Sequence, residues 1–404
     1  MNKYEIVLNY LFNQFPQYQK QGIKAYKANL NNIHQLLDLL SKPHEELKCI
    51  HVAGTNGKGS VSHLLASVFQ QAGYKTGIFS SPHLVDFRER IKINGHLISK
   101  KDVISFVNNN KDSFQSIKPS FFEWTTALAF YYFNKNKTDI NIIETGLGGR
   151  LDSTNVINPI LSIITTISYD HQNILGSTLN EIAKEKAGII KKKVPVILGK
   201  QIKEEKIEIK KIADKKHAKL FIAKNTDAKS SLAGSYQKYN IQIVSTAFDI
   251  LKEEYNLTKK HLNKGLMNVS NNTNLKGRWE IIKEEPLVIC DIGHNFQAMK
   301  FIVNQLQELS HRNGIFIFGV SNDKDIEDII KILPKNIKYF LTQANNPRAM
   351  KLNTLYKQMD SFSNKTKFKN PEQAYKTAIE ISKKDDYIFI GGSAFIVADI
   401  LKNI

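Results

Sequence analysis

Cysteine is nearly absent: Cys49 and Cys290 are the two in 404 residues. Both sit in apolar, strand-like runs, so buried free thiols are expected rather than a disulfide framework. A reducing compartment suits that pattern, and the cytoplasm is the expected location. Long hydrophobic runs are also missing. None approaches the roughly 20 residues of a membrane-spanning helix, so no membrane partner is expected. The opening stretch, MNKYEIVLNYLFNQFPQYQK, lacks the uninterrupted apolar segment and small-residue cleavage site of a secretory signal. No internal repeat is visible.

Acidic residues are scarce relative to basic ones. Asp and Glu number 38 against 57 Lys and Arg, a formal net charge of +19. That balance suits nucleic-acid or membrane-surface binders. Yet the lysines are spread along the chain, with local runs only at 191–193 and near 210–216, and no aromatic-interleaved basic stripe accompanies them. The abundance of Lys, Asn and Ile reads as compositional bias. Nucleic acid is not expected as a partner, and attraction of small anionic substrates is the more economical benefit.

What is present is sufficient core material, at 42% hydrophobic residues, in a chain long enough for two domains. The most informative stretch is residues 48–71, KCIHVAGTNGKGSVSHLLASVFQQ. Cys49, Ile50, Val52 and Ala53 suit a buried strand. Val61, Leu64, Leu65 and Val68 recur at helical spacing, and Gly73 stops the helix. Between them lies a tight turn, Gly54, Thr55, Asn56, Gly57, Lys58, Gly59 and Ser60. Strand, glycine loop and helix are the context of a phosphate-binding loop. Glycines let backbone N–H groups face phosphate oxygens, and the helix N-terminus adds positive partial charge. Lys58 is placed to reach terminal phosphates and Ser60 to face a metal. An ordinary glycine-rich turn is the bland alternative. The spacing is shorter than in the common GxxxxGK[ST] form.

The rest of the chain alternates strands and helices. Residues 1–45 read as helical, in two helices. A strand at 76–79 ends in Ser80, Ser81, Pro82 and His83, and residues 87–94 alternate like a strand. Helices are expected from Ser99 and over 121–133, then strands at 139–144 and 160–167. The next helix opens with the capping box Thr178 to Glu181 and closes at Gly188, and another strand covers 194–198. Residues 262–278 change character, and 271–277 read as a polar, turn-prone boundary. Beyond it strands at 287–290, 315–319, 339–342 and 387–390 alternate with helices. The expected architecture is α/β: a doubly wound, mostly parallel sheet carrying the phosphate loop over 1–275, then a smaller Rossmann-like α/β domain over 276–404.

Ligands in open parallel sheets bind outside the carboxyl ends of the strands. Ser81, Glu144 and His171 fall there by this reading, beside the phosphate loop. Glu144 closes an apolar strand, where a carboxylate serves a nucleotide-bound Mg²⁺ or simply meets water. A His ligand is unusual for so hard a cation.

At these residues the chain resembles the folylpolyglutamate synthase/dihydrofolate synthase family of the Mur ligase superfamily. GTNGKGS, SSPHLVDFRERI, ETGLGGRLDSTN, DHQNILG with EKAGIIK, LKGRWE, DIGHNFQA and GGSAF match in order over about residues 48–396. The resemblance implies a monomeric, ATP-dependent ligase that joins L-glutamate to a pterin or folate substrate through an acyl phosphate. It implies ATP and Mg²⁺, two ions, as cofactors, and makes Lys58, Lys186 and His171 the catalytic set. By the family's pattern Ser81 and Glu144 bind one Mg²⁺, His171 a second, and Lys186 is carried as a carbamate. Without the resemblance Lys186 is a cation well placed near a helix C-terminus. Asn240, Arg278 and Asp291 match nucleotide contacts, as does the loop of residues 54–60. Phe121, Phe122, Glu123, Leu151, Asp152 and Ser153 match contacts to the pterin. His294 and Ser393 match the glutamate pocket.

The chain departs from the family at Ile292, Gly293 and Phe296, where the pattern has Gly, Ala and Pro. Residues 200–232 carry few anchors for adenine. Two other readings compete. A cell-wall Mur ligase would act on a UDP-sugar peptide, but too little chain precedes Gly54 for the usual UDP-binding domain. A basic phosphate-loop protein would bind nucleic acid and use ATP as a switch.

Overall fold

Strand β1 (Cys49–Ala53) is buried at every residue. A strand buried on both faces belongs in the middle of a parallel sheet, and its continuous apolar run reads accordingly. The computed structural model describes residues 2–17, 22, 27–199, 202, 204–309, 312–323 and 326–404. Within the helical expectation for 1–45, residues 1, 18–21 and 23–26 lie outside the described residues, as do Lys200, Gln201 and Lys203 of the 200–232 stretch.

The first sheet continues with β2 (Thr76–Phe79), β3 (Ile91–Ile93), β4 (His96–Leu97), β5 (Ile140–Glu144), β6 (Leu161–Ile164), β7 (Val196–Leu198) and β8 (Leu220–Ile222). Their order is β4-β3-β2-β5-β1-β6-β7-β8. Strands β2 through β8 in that order run parallel, and β3 and β4 add an antiparallel edge. Val52 pairs with Glu144 on one side of β1, and Ala53 with Ile164 on the other. The chain leaves β1 at a topological switch point, where open α/β sheets bind ligands.

A second sheet comprises β9 (Glu280–Lys283), β10 (Leu287–Cys290), β11 (Gly314–Phe318), β12 (Lys338–Leu341), β13 (Lys365–Lys367) and β14 (Tyr387–Gly391), in the order β13-β12-β11-β14-β10-β9. Only β9 is antiparallel to its neighbour among these described strands. Two compact units result: Met1–Ser231 with Gln237–Leu275, and Leu232–Tyr236 with Lys276–Ile404. The expected doubly wound, mostly parallel α/β architecture is the observed one. No helix among the described residues is long and apolar enough to cross a membrane.

Three local expectations differ from the structure. Residues 87–94 do not form one strand: Phe87–Arg90 is a 3-10 turn and only Ile91–Ile93 is extended. The cause is local. Asp86 accepts the Arg88 N–H, and the Glu89 carboxylate gathers the N–H groups of Leu84, Val85 and Asp86 at 2.7, 3.1 and 2.9 Å. Such side-chain bonds compete with a strand ladder. Strand β6 stops at Ile164, so His171 does not close a strand. It caps the short helix Gln172–Leu175 with a left-handed φ of 51°. Part of the polar stretch at 271–277 is helical, because Val269–Thr273 forms a short helix ended by left-handed Asn274. Helices Lys206–Lys215 and Gln237–Leu251 carried no clear sequence signal.

The helix Lys58–Gln71 is buried at every position from Gly59 to Phe69. A helix enclosed all round needs partners on its outer face. Helices Gln237–Leu251, Lys259–Met267 and Val269–Thr273 supply them. Gly265 makes the closest approach. Its carbonyl accepts Ser67 Oγ at 2.6 Å, and a Cβ there would stand 2.6 Å from Val68 Cα. Gly265→Val therefore drives backbone against backbone. We expect a loss of about 1–3 kcal/mol, as overpacked cores show, read as a lower urea midpoint for the first unit. An unchanged midpoint would mean that the two helices do not meet there.

Candidate active site

The turn after β1 is held by the loop that follows β6. Thr55 N–H donates to the Thr166 carbonyl at 2.8 Å, and Asn56 N–H to Thr166 Oγ1 at 2.9 Å. Thr165 Oγ1 donates to the Asn56 carbonyl at 2.6 Å, and Ser168 N–H to Thr55 Oγ1 at 3.1 Å. Two glycines are required. Gly54 has φ +148° and a Cβ there would strike Thr165 Oγ1, while Gly57 has φ +88° and packs against Asn240 Oδ1. The helix then opens at Lys58. First-turn N–H groups have no intrahelical acceptor, and here they belong to Lys58, Gly59 and Ser60.

Two lysines converge on one carbonyl. Lys58 Nζ donates to Gly54 O at 3.0 Å and to Thr55 O at 3.1 Å. Lys186 Nζ donates to the same Gly54 O at 3.0 Å. Lys186 lies in the last turn of the helix Leu179–Ala187 and is buried. Burial and, second, the Lys58 charge bring its pKa down to about 7, against the opposite pull of Asp170 and Asp152. Asn240 joins the cluster from the helix Gln237–Leu251. Its amide donates to Gln237 Oε1 at 2.8 Å, and Gln237 Nε2 donates to Ser60 Oγ at 3.3 Å.

Beside the loop, Glu144 ends β5 with its carboxylate buried. Ser81 N–H donates to Glu144 Oε2 at 3.3 Å, so two expected metal ligands are neighbours. The buried Arg90 guanidinium donates through Nε to His83 Nδ1 at 2.7 Å and lies 5.3 Å from the Phe121 ring centre. Burial lowers its pKa to about 10, with Glu144 and Glu89 acting oppositely. His171 stands apart from the strand ends, its Nε2 3.7 Å from Asp170 Oδ1. Among the described residues no three His, Cys, Asp or Glu side chains form a group able to hold a metal. The oxygen donors of Ser81 and Glu144 nevertheless fit Mg²⁺, which binds through one or two carboxylates and completes its shell with phosphate oxygens and water.

The expected pterin contacts divide by environment. Phe121 is packed among Phe12, Phe87 and Arg90. Glu123 closes a capping box with Ser120, whose N–H it accepts at 2.6 Å. Phe122 is half-buried, 5.8 Å from Phe79, with its ring against Gly146. Leu151 and Ser153 flank Asp152, which is buried and caps the turn Ser153–Val156. In the second unit Asp291 follows β10. Its carboxylate accepts Tyr236 Oη at 2.5 Å, Trp279 N–H at 2.8 Å and Gly293 N–H at 2.7 Å. Burial raises its pKa, with Tyr236 and Arg278 opposing. Arg278 donates to the Gly277 carbonyl, and His294 Nδ1 is 3.0 Å from the Ile292 carbonyl. Ser393 caps the helix Ala394–Leu401 after β14, the strand beside β10. Gln237 and Tyr236 gave no sequence signal, because each acts through a contact remote in the chain; Arg90 lies within the matched stretch SSPHLVDFRERI, where it was not singled out.

The Mur ligase middle domain matches residues 52–273, and the Mur ligase glutamate ligase domain matches 277–394. The dihydrofolate synthase/folylpolyglutamate synthase of Bacillus subtilis (strain 168) is 32% identical, over 94% of this chain and 95% of its own. The chain belongs to the folylpolyglutamate synthase/dihydrofolate synthase family of Mur ligases. Among solved structures, Escherichia coli FolC in complex with DHPP and ADP superposes with a TM-score of 0.86 at 25% identity, over 99% of this chain and 97% of that one. A bifunctional folylpolyglutamate synthase/dihydrofolate synthase with Mn, AMPPNP and L-glutamate bound gives 0.85 at 26% identity, over 100% and 98%. Members of this family are ATP-dependent ligases.

Lys58 carries the clearest prediction of this arrangement. Lys58→Ala should lower turnover, measured as phosphate release, by about 10²-fold or more, the typical cost of losing a positioned charge. Melting temperature should hold, because among the described residues Lys58 Nζ bonds only carbonyls of its own loop. A folded variant with wild-type turnover would remove the loop from the active site.

Proposed function

We propose that this chain adds L-glutamate to dihydropteroate, to tetrahydrofolate, or to both, using ATP. The observation that carries this reading is the convergence of Lys58, Lys186 and the Ser81–Glu144 pair at the switch point beside β1. The relatives support it. One solved neighbour holds DHPP and ADP, and another holds L-glutamate with Mn and AMPPNP.

The reaction has two displacements. A substrate carboxylate oxygen attacks the γ-phosphorus, an O–P bond forms, and ADP leaves. The glutamate amine then attacks the acyl carbon, a C–N bond forms, phosphate leaves, and the amine gives up a proton. Phosphoryl transfer needs positioning and charge neutralisation more than covalent help. In this reading Lys58 and the first-turn N–H groups bind the phosphates that acquire charge. Ser81 and Glu144 hold Mg²⁺, which neutralises phosphate charge when bound. Asn240, Arg278 and Asp291 hold the nucleotide. Phe122, Leu151, Asp152 and Ser153 receive the pterin, with Phe121 and Glu123 behind them. His294 and Ser393 bind glutamate.

Lys186 is assigned to a second metal, with His171, as a carbamate. Two properties support this. Its amine is buried against a carbonyl with no carboxylate bonded to it among the described residues, and its pKa of about 7 leaves much of it neutral, the form that attacks CO₂. The N–C bond forms, a proton departs, and a cation becomes an anion suited to Mg²⁺. Lys186→Ala should be nearly inactive yet stable, and acetate should restore part of kcat by filling the vacated space. Near-normal kcat in that variant would refute the carbamate.

Two measurements test the wider reading. Phosphate release should require both L-glutamate and either dihydropteroate or tetrahydrofolate, and comparing the two substrates assigns the specificity. Glu144→Gln keeps the shape and removes the charge, so it should raise the Mg²⁺ concentration for half-maximal activity. An unchanged Mg²⁺ dependence would move the metal elsewhere.

A further inference from the structure

Three buried side chains form a hydrogen-bonded chain that ends on Asp152, and the reaction scheme leaves the other two, His51 and Thr154, without a role. His51 lies in the middle of β1, and Thr154 and Asp152 lie in the turn after β5. Their exposures are 0%, 0% and 4%. His51 Nε2 is 2.8 Å from Thr154 Oγ1, and Thr154 Oγ1 is 2.5 Å from Asp152 Oδ1. Asp152 Oδ1 also accepts Thr154 N–H at 3.0 Å, and Oδ2 accepts Leu147 N–H at 2.8 Å.

The direction of this chain follows from proton counting. Burial raises the Asp152 pKa, and the Thr154 hydroxyl and the main-chain N–H groups of Leu147, Thr154 and Gly146 oppose it by favouring the carboxylate. The Thr154 hydroxyl has one proton to give. Given to Asp152, it leaves the oxygen as an acceptor, and the contact with His51 must then be an Nε2–H donor. His51 Nδ1 consequently carries no proton. It is buried and has no hydrogen-bond partner among the described residues. The opposite tautomer would orphan a buried N–H there, the rarer and costlier defect. Burial, and then Lys191, push the His51 pKa down to about 3, so the ring is neutral.

The cost of this arrangement argues for a purpose. Ile50 and Val52 flank His51 and show that aliphatic side chains satisfy the strand. Burying an imidazole with one nitrogen unpaired is unfavourable compared with either neighbour. Its product is a carboxylate fixed by donors on one side. Thr154 Oγ1 and the N–H groups of Thr154, Leu147 and Gly146 all bond this carboxylate, so its two oxygens are held in one orientation.

We propose that His51 is a positioning residue that acts through Thr154 to hold Asp152 as an oriented acceptor for an N–H donor of the pterin ring. This rests on the reading that Asp152 contacts the pterin. The experiment compares Thr154→Val, which removes only the hydroxyl, with Thr154→Ser and His51→Gln, which keep a hydroxyl and an N–H donor. Phosphate release is followed with dihydropteroate, ATP and L-glutamate, each varied in turn. Thr154→Val should raise the KM for dihydropteroate by about 10-fold or more, the scale of a hydrogen bond to a charged group. The KM values for ATP and glutamate should stay within about twofold, and Thr154→Ser should restore the dihydropteroate KM. A lowered Tm with that KM unchanged, or a uniform rise in every KM, would overturn the proposal. A second measurement needs no variant. The ¹⁵N shifts of the His51 ring in the wild-type protein should report a neutral Nε2–H tautomer, and an Nδ1–H tautomer would overturn the proposed direction. If the wild type shows no dihydropteroate-dependent turnover, the substrate reading fails. If turnover is present and Thr154→Val leaves its KM unchanged, the positioning role alone fails.

Discussion

The carbonyl of Gly54 is the constraint on which the first unit depends. It accepts both Lys58 and Lys186 at 3.0 Å. A sharp turn after β1 presents this one oxygen to both amines. That turn requires φ +148° and leaves no room for a Cβ beside Thr165. The turn is held from the β6 side by Thr165, Thr166 and Ser168. The same juxtaposition lowers the Lys186 pKa, because the Lys58 charge adds to burial. A residue placed to bind anions thus also keeps a second lysine close to neutrality.

The carboxylates near the strand ends follow a common plan. Glu144 accepts the Ser81 N–H, Asp152 those of Leu147 and Thr154, and Asp291 those of Trp279 and Gly293. Glu89 does the same for three successive amides, shaping the loop that carries Ser81 and His83. Main-chain donors cannot rotate away, so each carboxylate is fixed before any ligand arrives. Groups oriented in advance contribute more to catalysis than mobile ones, since no reorganisation accompanies the reaction.

Much of what depends on neighbouring residues was legible in the sequence. The phosphate loop, the Thr178 capping box and the β10 strand ending at Asp291 each rest on a few consecutive residues. The failures were of two kinds. Residues 87–94 alternate as a strand does, but Asp86 and Glu89 offered the backbone a competing set of bonds. His171 was read at a strand end because the β-branched run passes Ile164, whereas Thr165 and Thr166 turn their hydroxyls to the phosphate loop. Other omissions could not have been otherwise. Gln237 reaches Ser60, and Tyr236 reaches Asp291, across 177 and 55 positions. Periodicity carries no trace of such pairings.

Net charge illustrates the same division. A few lysines of this basic chain pair with a carboxylate three or four residues away, as in Lys210–Asp214, Lys331–Asp328 and Lys376–Glu372. Such exposed pairs add little to stability and are weakened by salt. The cations that matter to the site are few and shielded. Lys186 and Arg90 are buried, and burial lowers both pKa values. Removing an exposed lysine changes the +19 total and leaves the contacts at Gly54 in place, whereas moving Lys186 by one helical position takes it away from that carbonyl. Composition therefore limits the partners the surface attracts, and the chemistry is set by which two or three charges the fold withdraws from water.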